Sequence, residues 1–297
     1  MSKTKKPIFN GAATALITPF KDGNVDYDAL GNLIDRQIDL GINALVICGT
    51  TGESCTLSNE EHRTVLKYAL RKSGGRVPMI AGTGSNDTAH AVEMSKFASA
   101  LGYDGLLVVT PYYNKATEKG LIKSYTAIAD AADCPIILYN VPTRTCCNIS
   151  LPVYRELAKH ENIVAVKEAS GNISQIAELI AECGDYFDIY SGNDDQTLPM
   201  LSLGGSGVIS VVSNIIPREM AELCKKWFDG DTKECRRLHE KYLKLMKMMF
   251  CEVNPIPVKT ACAIMELCSD ELRLPMCDIG EENHKKIAKL IKEYGLI

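Results

Sequence analysis

The sequence predicts an α/β fold, a (β/α)8 TIM barrel with a C-terminal helical extension. Three observations carry the prediction. Eight short apolar runs recur at intervals of roughly 20–35 residues, the spacing of strand–helix alternation in a parallel sheet. Segments between them carry helix caps and a helical apolar period. From about residue 217 onward the strand-like runs stop and the chain turns charged and helix-periodic. The expected organisation is a catalytic barrel over residues 1–216 and a helical region over 217–297 packed on it.

The runs are TALIT ending at Thr18, ALVIC at Cys48, PMIAG at Gly82 and LLVVT at Thr110. PIILY then ends at Tyr139, IVAVK at Lys167, FDIYS at Ser191 and GVISVV at Val212. Each is short, apolar and bounded by polar residues, as a buried strand is. Ser58 opens S-N-E-E, a capping box with Glu61, ahead of an amphipathic stretch reaching about Arg71. Asn86 or Asp87 caps the next helix, where Ala91, Met94, Ala98 and Leu101 share a face before Gly102 ends it. A doubly wound open sheet is the alternative architecture. It would normally place a dinucleotide glycine fingerprint after the first strand, and GAATALITPF has none.

The 297 residues suffice for one large domain or two ordinary ones, and 46% hydrophobic with 24% charged content is ordinary for a globular chain. A net charge of −4 gives no electrostatic reason to expect nucleic acid or an acidic membrane as partner. The basic start MSKTKKPIFNG has no apolar run behind it, so no signal peptide is expected, and no stretch of about 20 apolar residues could span a bilayer. A cytoplasmic location follows as the expectation. The 12 cysteines form no C-x-x-C and no zinc-like spacing with histidine. They are expected to be reduced, structural and mostly buried, with no metal bound.

Tyr139 and Lys167 close the fifth and sixth runs. One βαβ unit takes about 30 residues, so these strands should be parallel neighbours with their last residues side by side. That carboxyl-end rim is where barrels place their chemistry. Most lysines are solvated, but one ending an apolar strand is desolvated. Desolvation lowers its pKa and leaves the neutral amine that attacks a ketone. Lys167 beside a phenol is thus a candidate Schiff-base nucleophile with an acid/base partner, and Glu168 should face the other way.

Other rim segments are weaker alone. GTTGES at 49–54 offers glycines, backbone N–H groups and two threonine hydroxyls to a small carboxylate, though a plain βα turn fits it equally well. It lacks the lysine of a phosphate-binding loop. In VTPYYNK at 109–115 the adjacent tyrosines point in opposite directions, and simple packing explains such a pair as readily as chemistry does. YNVPTRT at 139–145 joins Tyr139 to Arg144, which can fork onto a carboxylate or simply be solvated. SGND and GGSGVIS supply small rim elements that leave room for a ligand.

Taken in order, TALITPF, GTTGES, TPYYNK, LYNVPTRT, VKEASGN, SGND, GVISV and NPIPVK at 254–259 resemble the dihydrodipicolinate synthase branch of the N-acetylneuraminate lyase superfamily, over essentially the whole chain. The resemblance implies a TIM barrel with a C-terminal helical region and a lyase-type synthase. The implied reaction is a class I aldol-type condensation of pyruvate with L-aspartate-4-semialdehyde, in lysine and diaminopimelate biosynthesis. Lys167 matches the family's Schiff-base lysine and Tyr139 the tyrosine that passes protons to and from imine and substrate. Thr51 matches its relay partner, also in contact with substrate, and Thr50 the residue that supports it. Tyr113 matches a tyrosine reaching into the neighbouring subunit's site, which implies a homodimer or homotetramer. Arg144 matches the arginine that holds the semialdehyde carboxylate, and Gly192 and Ile209 match positions that shape the pyruvate pocket. No cofactor is implied, because the protonated imine itself is the electron sink.

Two departures from the family pattern stand out. Cys146 replaces the glycine usual after R-T, so that loop is expected to differ near Arg144. Ser54, Cys55, Asn59, His62, Asn86, His90 and Tyr112 occupy positions matching the lysine-inhibition site of feedback-sensitive members. His90 stands where sensitive members have a glutamate, and Asn59 where some have histidine; neither supplies a negative charge. Two other functions stay open at this level. One is another pyruvate-dependent class I aldolase, such as an N-acetylneuraminate lyase. The other is a catalytically idle ligand-binding barrel.

Overall fold

The computed structural model describes residues 5–297 of the chain; Met1–Thr4, which open the basic N-terminal stretch, lie outside the described residues. The strands are β1 (Gly11–Ala15), β2 (Phe20–Lys21), β3 (Asn24–Val25), β4 (Ala44–Ile47), β5 (Met79–Gly82), β6 (Gly105–Val109), β7 (Ile136–Asn140), β8 (Ile163–Glu168), β9 (Asp188–Ser191) and β10 (Gly207–Ser210). Eight of them form a closed parallel barrel in the order β1-β10-β9-β8-β7-β6-β5-β4, and β2 with β3 makes a separate antiparallel ribbon. The helices are α1 (Tyr27–Asp39), α2 (Asn59–Ser73), α3 (Thr88–Leu101), α4 (Glu118–Ala131), α5 (Pro142–Thr145), α6 (Leu151–Leu157), α7 (Ile173–Cys183), α8 (Thr197–Leu203), α9 (Pro217–Phe228), α10 (Thr232–Met248), α11 (Ile256–Ile264) and α12 (Glu281–Glu293).

Every predicted apolar run overlaps a barrel strand, but the two ends of the series are shifted. The first was expected to end at Thr18, yet β1 ends at Ala15. Its residues Gly11, Ala12 and Ala13 are small, so they carry little apolar signal even though all of β1 is buried. The last run leaves the sheet at Ser210, and Val212–Asn214 form a 3-10 turn. Cap chemistry behaves as its residues dictate. The Ser58–Glu61 box is formed at the start of α2, Asp87 caps α3 by accepting from the Ala89 N–H, and Gly102 closes α3 at φ 94°. The charged stretch after residue 217 is broken at Asp229–Asp231, where Gly230 turns at φ 84° and Asp231 caps α10.

The chain divides into two compact units, Met1–Gly11 with Pro78–Ile209 and Ala12–Val77 with Ser210–Ile297. In the first, β5 to β9 pair in sequence and their central residues form a dry core; all six residues of β8 are buried. In the second, β1 pairs with β4, aligning Ala13 with Ala44 and Ala15 with Val46. α1 and α2 carry the apolar faces Leu30, Leu33, Ile34 and Val65, Leu66, Ala69. All twelve cysteines are free, seven of them buried. Among the described residues no helix is long and apolar enough to cross a membrane, and no group of three or more His, Cys, Asp or Glu could hold a metal ion.

Candidate active site

β7 and β8 pair in parallel with Tyr139 opposite Lys167 and Asn140 opposite Glu168. Successive strand residues point to opposite faces, so each pair occupies its own face. Lys167 is 4% exposed, and its ammonium nitrogen lies 4.4 Å from the centroid of the Tyr139 ring. On the other face Glu168 accepts from Asn140 Nδ2 at 3.0 Å, Tyr154 Oη at 2.8 Å and the Ser170 N–H at 2.8 Å. That network satisfies the buried Glu168 carboxylate and ties the ends of β7 and β8 together.

Burial, the largest influence, pulls the Lys167 pKa down to about 8, against an upward push from Asp194 and a smaller downward one from Arg144. An amine of this pKa is a substantial fraction neutral at physiological pH. A second phenol flanks it, since Tyr190 on β9 pairs with Lys167. Tyr190 is committed elsewhere: its hydroxyl donates to the Phe9 carbonyl at 2.6 Å, its ring stacks on Phe9, and burial raises its pKa well above the ordinary value. Tyr139, on the neighbouring strand β7, lies with its ring beside the Lys167 nitrogen instead.

The space beside the amine is set by Gly192. A Cβ there would stand 2.6 Å from Ala169 Cβ and 3.2 Å from Lys167 Cε, so any side chain would crowd Ala169 and the end of Lys167. Ile209 is buried on β10. Arg144 is exposed on the single-turn helix α5, which starts at Pro142 and ends at Thr145, with Cys146 as its C-cap. Cys146 sits at φ 53°. The cysteine takes the left-handed backbone that glycine favours, at a strain of about 1 kcal/mol. Thr145 steadies the turn by lying 3.1 Å from Thr110 Oγ1 and 3.0 Å from the Cys147 carbonyl.

In the other compact unit, Thr50 and Thr51 follow β4, and Thr51 is buried. Gly52 turns so closely that a Cβ would lie 3.1 Å from the Leu16 carbonyl, and Thr18 Oγ1 donates to the Gly52 carbonyl at 2.7 Å. Glu53 has φ 52°. Its carboxylate pairs with Lys259 at 2.6 Å, with side chains 0% and 3% exposed for the lysine and glutamate. The Lys259 ammonium also rests 4.0 Å above the Phe20 ring, with the Arg273 guanidinium 4.4 Å from that ring.

Among the described residues two lysines are buried, and their partners tell them apart. Burial lowers the pKa of Lys259 too, but there the Glu53 carboxylate, 2.6 Å away, opposes the shift directly; Lys167 faces an aromatic ring. Removing Lys259 alone would strand a buried carboxylate, so Lys259→Met is expected to destabilise the fold by about 3–5 kcal/mol in chemical denaturation. The double change Glu53→Gln with Lys259→Met should be clearly less harmful. Equal losses for the two would show that the ion pair is not what matters.

Tyr113 is 90% exposed at φ 69°, unusual for an aromatic residue. The positions matched to a lysine-inhibition site fall in both compact units. Ser54 and Cys55 lie in a 3-10 turn, with Asn59 and the buried His62 at the start of α2. Asn86 accepts from Asn114 Nδ2 at 2.9 Å through its carbonyl, His90 lies in the first turns of α3, and Tyr112 is on the loop before Tyr113. Three contributors escaped the sequence reading. Asp194, buried, acts on Lys167 by charge; Asn254 donates to Thr51 Oγ1 at 3.0 Å; Lys259 holds Glu53. For Lys259 a signal existed, since it interrupts the otherwise apolar IPVKTACAI.

The chain is 50% identical over 293 residues to a 4-hydroxy-tetrahydrodipicolinate synthase of Acetivibrio thermocellus, covering 99% of this chain and 100% of that protein. It is 51% identical over 290 residues to one of Geobacter sulfurreducens, covering 98% of this chain and 100% of that protein. Among solved structures, the dihydrodipicolinate synthase of Aquifex aeolicus superposes with a TM-score of 0.95 at 47% identity, over 97% of this chain and 99% of that one. Residues 8–294 match the pattern of one family throughout. This chain belongs to the Dihydrodipicolinate synthetase family.

Proposed function

We propose that this enzyme joins pyruvate to L-aspartate-4-semialdehyde through a Schiff base on Lys167, forming 4-hydroxy-tetrahydrodipicolinate for lysine and diaminopimelate synthesis. The observation that carries the mechanism is the buried Lys167 amine, shifted to about 8, set 4.4 Å from the Tyr139 ring. The neutral amine adds to the pyruvate ketone and water leaves, giving an imine. Protonated at nitrogen, the imine draws a proton off the methyl carbon and becomes an enamine. The enamine carbon then attacks the semialdehyde carbonyl, whose oxygen takes a proton as the new C–C bond forms; the semialdehyde's own amino group finally adds to the regenerated iminium carbon and displaces Lys167, closing the ring and freeing the lysine amine.

Tyr139 carries protons at each stage, with Thr51 as its relay partner and Thr50 behind it. A phenol's ordinary pKa of about 10 is high for this work, and a hydrogen-bonded chain narrows the gap. Arg144 holds the semialdehyde carboxylate, and Gly192 and Ile209 bound the pyruvate. Tyr113, too exposed to be explained by packing in its own chain, reaches into a second subunit, so the working unit is a homodimer or homotetramer. No cofactor takes part, residues 1–216 carry the chemistry and 217–297 support it. Twelve free cysteines fit a reducing, cytoplasmic setting.

Assays with pyruvate and aspartate semialdehyde, against pyruvate and N-acetylmannosamine, separate this activity from a sialic acid aldolase; product only with the second pair would overturn it. The pH dependence of trapping is a second check. Only the neutral amine reacts, so the borohydride-trapping rate at limiting pyruvate should rise about tenfold per unit below pH 8 and level off above it. A rate still climbing through pH 10 would mean an ordinary, solvated lysine.

A further inference from the structure

We infer, resting on the roles proposed for Lys167 and Tyr139, that Asn140 and Glu168 are positioning residues: the side-chain bond between them sets the register that brings Tyr139 opposite Lys167. The ladders on either side of that pair are regular. β6 pairs with β7 from Leu106 opposite Ile136 to Val109 opposite Tyr139, and β8 with β9 from Ala165 opposite Asp188 to Glu168 opposite Ser191. The seam between β7 and β8 is not regular. Ile136 pairs with Ile163 but Ile137 with Ala165, so Val164 is passed over and the register shifts before Tyr139 and Lys167 are reached. A slip of one residue turns every side chain of a strand to the other face. Backbone pairing at the start of this seam therefore does not dictate where its end falls.

Side chains fix the far end. Asn140 Nδ2 donates to Glu168 Oε1 at 3.1 Å and to Oε2 at 3.0 Å, and both side chains are fully buried. The Asn140 amide faces one way only, because its Oδ1 accepts the Ile149 N–H at 3.1 Å while Nδ2 also donates to Asn148 Oδ1 at 2.8 Å. Asn148 is tied in turn to α7, donating to Gln175 Oε1 at 2.9 Å. Glu168 is gripped from α6 by the Tyr154 hydroxyl and from its own loop by the Ser170 N–H. Sliding β7 past β8 would leave a buried carboxylate and a buried amide without these partners, a cost that selects one register. Tyr139 and Lys167, each one residue back, take that register on the opposite face.

The decisive variant is Asn140→Asp, which sets one carboxylate against another; adding Glu168→Gln restores a donor–acceptor pair with its direction exchanged. Asn140→Asp is expected to slow kcat, and exchange of pyruvate methyl protons with D2O, about 10²-fold, the scale of a misplaced reacting group. Borohydride trapping of pyruvate on Lys167 should fall far less, because burial, Asp194 and Arg144 tune that amine. The double variant should recover exchange to within about tenfold of wild type. A general loss of packing would slow trapping and exchange together, and a second substitution would not repair it. Should Asn140→Asp fail to fold, Tyr154→Phe takes its place: it removes one donor to Glu168 and keeps the ring, and exchange should slow about fivefold with trapping unchanged. Wild-type exchange in the folded variant, equal losses of trapping and exchange, or a double variant no faster than Asn140→Asp would overturn the inference. A wild-type enzyme that yields no Lys167 adduct would instead overturn the Schiff-base mechanism itself.

Discussion

Replacing Lys167 by alanine is expected to reduce condensation by about 10⁴-fold or more, the scale of losing a covalent nucleophile. Among the described residues only one other lysine is buried. Lys259, the other buried lysine, has its ammonium on the Glu53 carboxylate at 2.6 Å. Attack by Lys259 would first require stripping a proton that a buried anion stabilises. Lys167→Arg should fail as completely, because a guanidinium stays charged at any accessible pH. The measurement is steady-state product formation, paired with mass spectrometry after borohydride reduction in pyruvate. Wild type should gain one reduced pyruvate at Lys167 and the variants none. Full-speed product formation by Lys167→Ala would end the imine mechanism.

Tyr139→Phe should cost on the order of 10²–10⁴-fold in kcat, the usual worth of a positioned acid/base group. The ring is kept, so the face beside Lys167 stays covered, and only the hydroxyl is lost. Tyr190, on the other side of Lys167, cannot substitute: its proton is given to the Phe9 carbonyl and burial raises its pKa well above the ordinary range. Trapping of pyruvate should persist in the variant at a lower rate, because amine attack needs the neutral lysine while the later proton transfers need the phenol. Exchange of pyruvate methyl protons with D2O would report those transfers directly. If exchange proceeded at the wild-type rate, the proton carrier would have to be sought elsewhere.

Much of the barrel was legible because strands and helices write local signals. Four-residue apolar runs mark the strands, and Ser58 with Glu61 or Asp87 marks a helix start. β1 was misplaced by three residues because alanine and glycine are buried there without being strongly apolar. The 20–25 ribbon escaped notice, since two-residue strands leave no period to read. Tyr139 and Lys167 were readable as neighbours because the length of a βαβ unit fixes their register. The glycine-like turn at Cys146 was not, since only the folded backbone shows that a cysteine accepts φ 53°.

The sequence by itself determined the alternation of elements, the parallel pairing of the strands that end at Tyr139 and Lys167, and the chemistry those two residues can perform. Periodicity, caps and short-range spacing encode these directly. Folding alone set which of the buried lysines faces a carboxylate, that the Tyr190 hydroxyl goes to the Phe9 carbonyl, and what touches Thr51. Those outcomes depend on contacts such as Glu53 with Lys259 and Thr51 with Asn254, made by residues about 200 positions apart. The charge state of an amine or the direction of a hydroxyl follows from whichever groups folding brings within about 3 Å, and no local pattern specifies them.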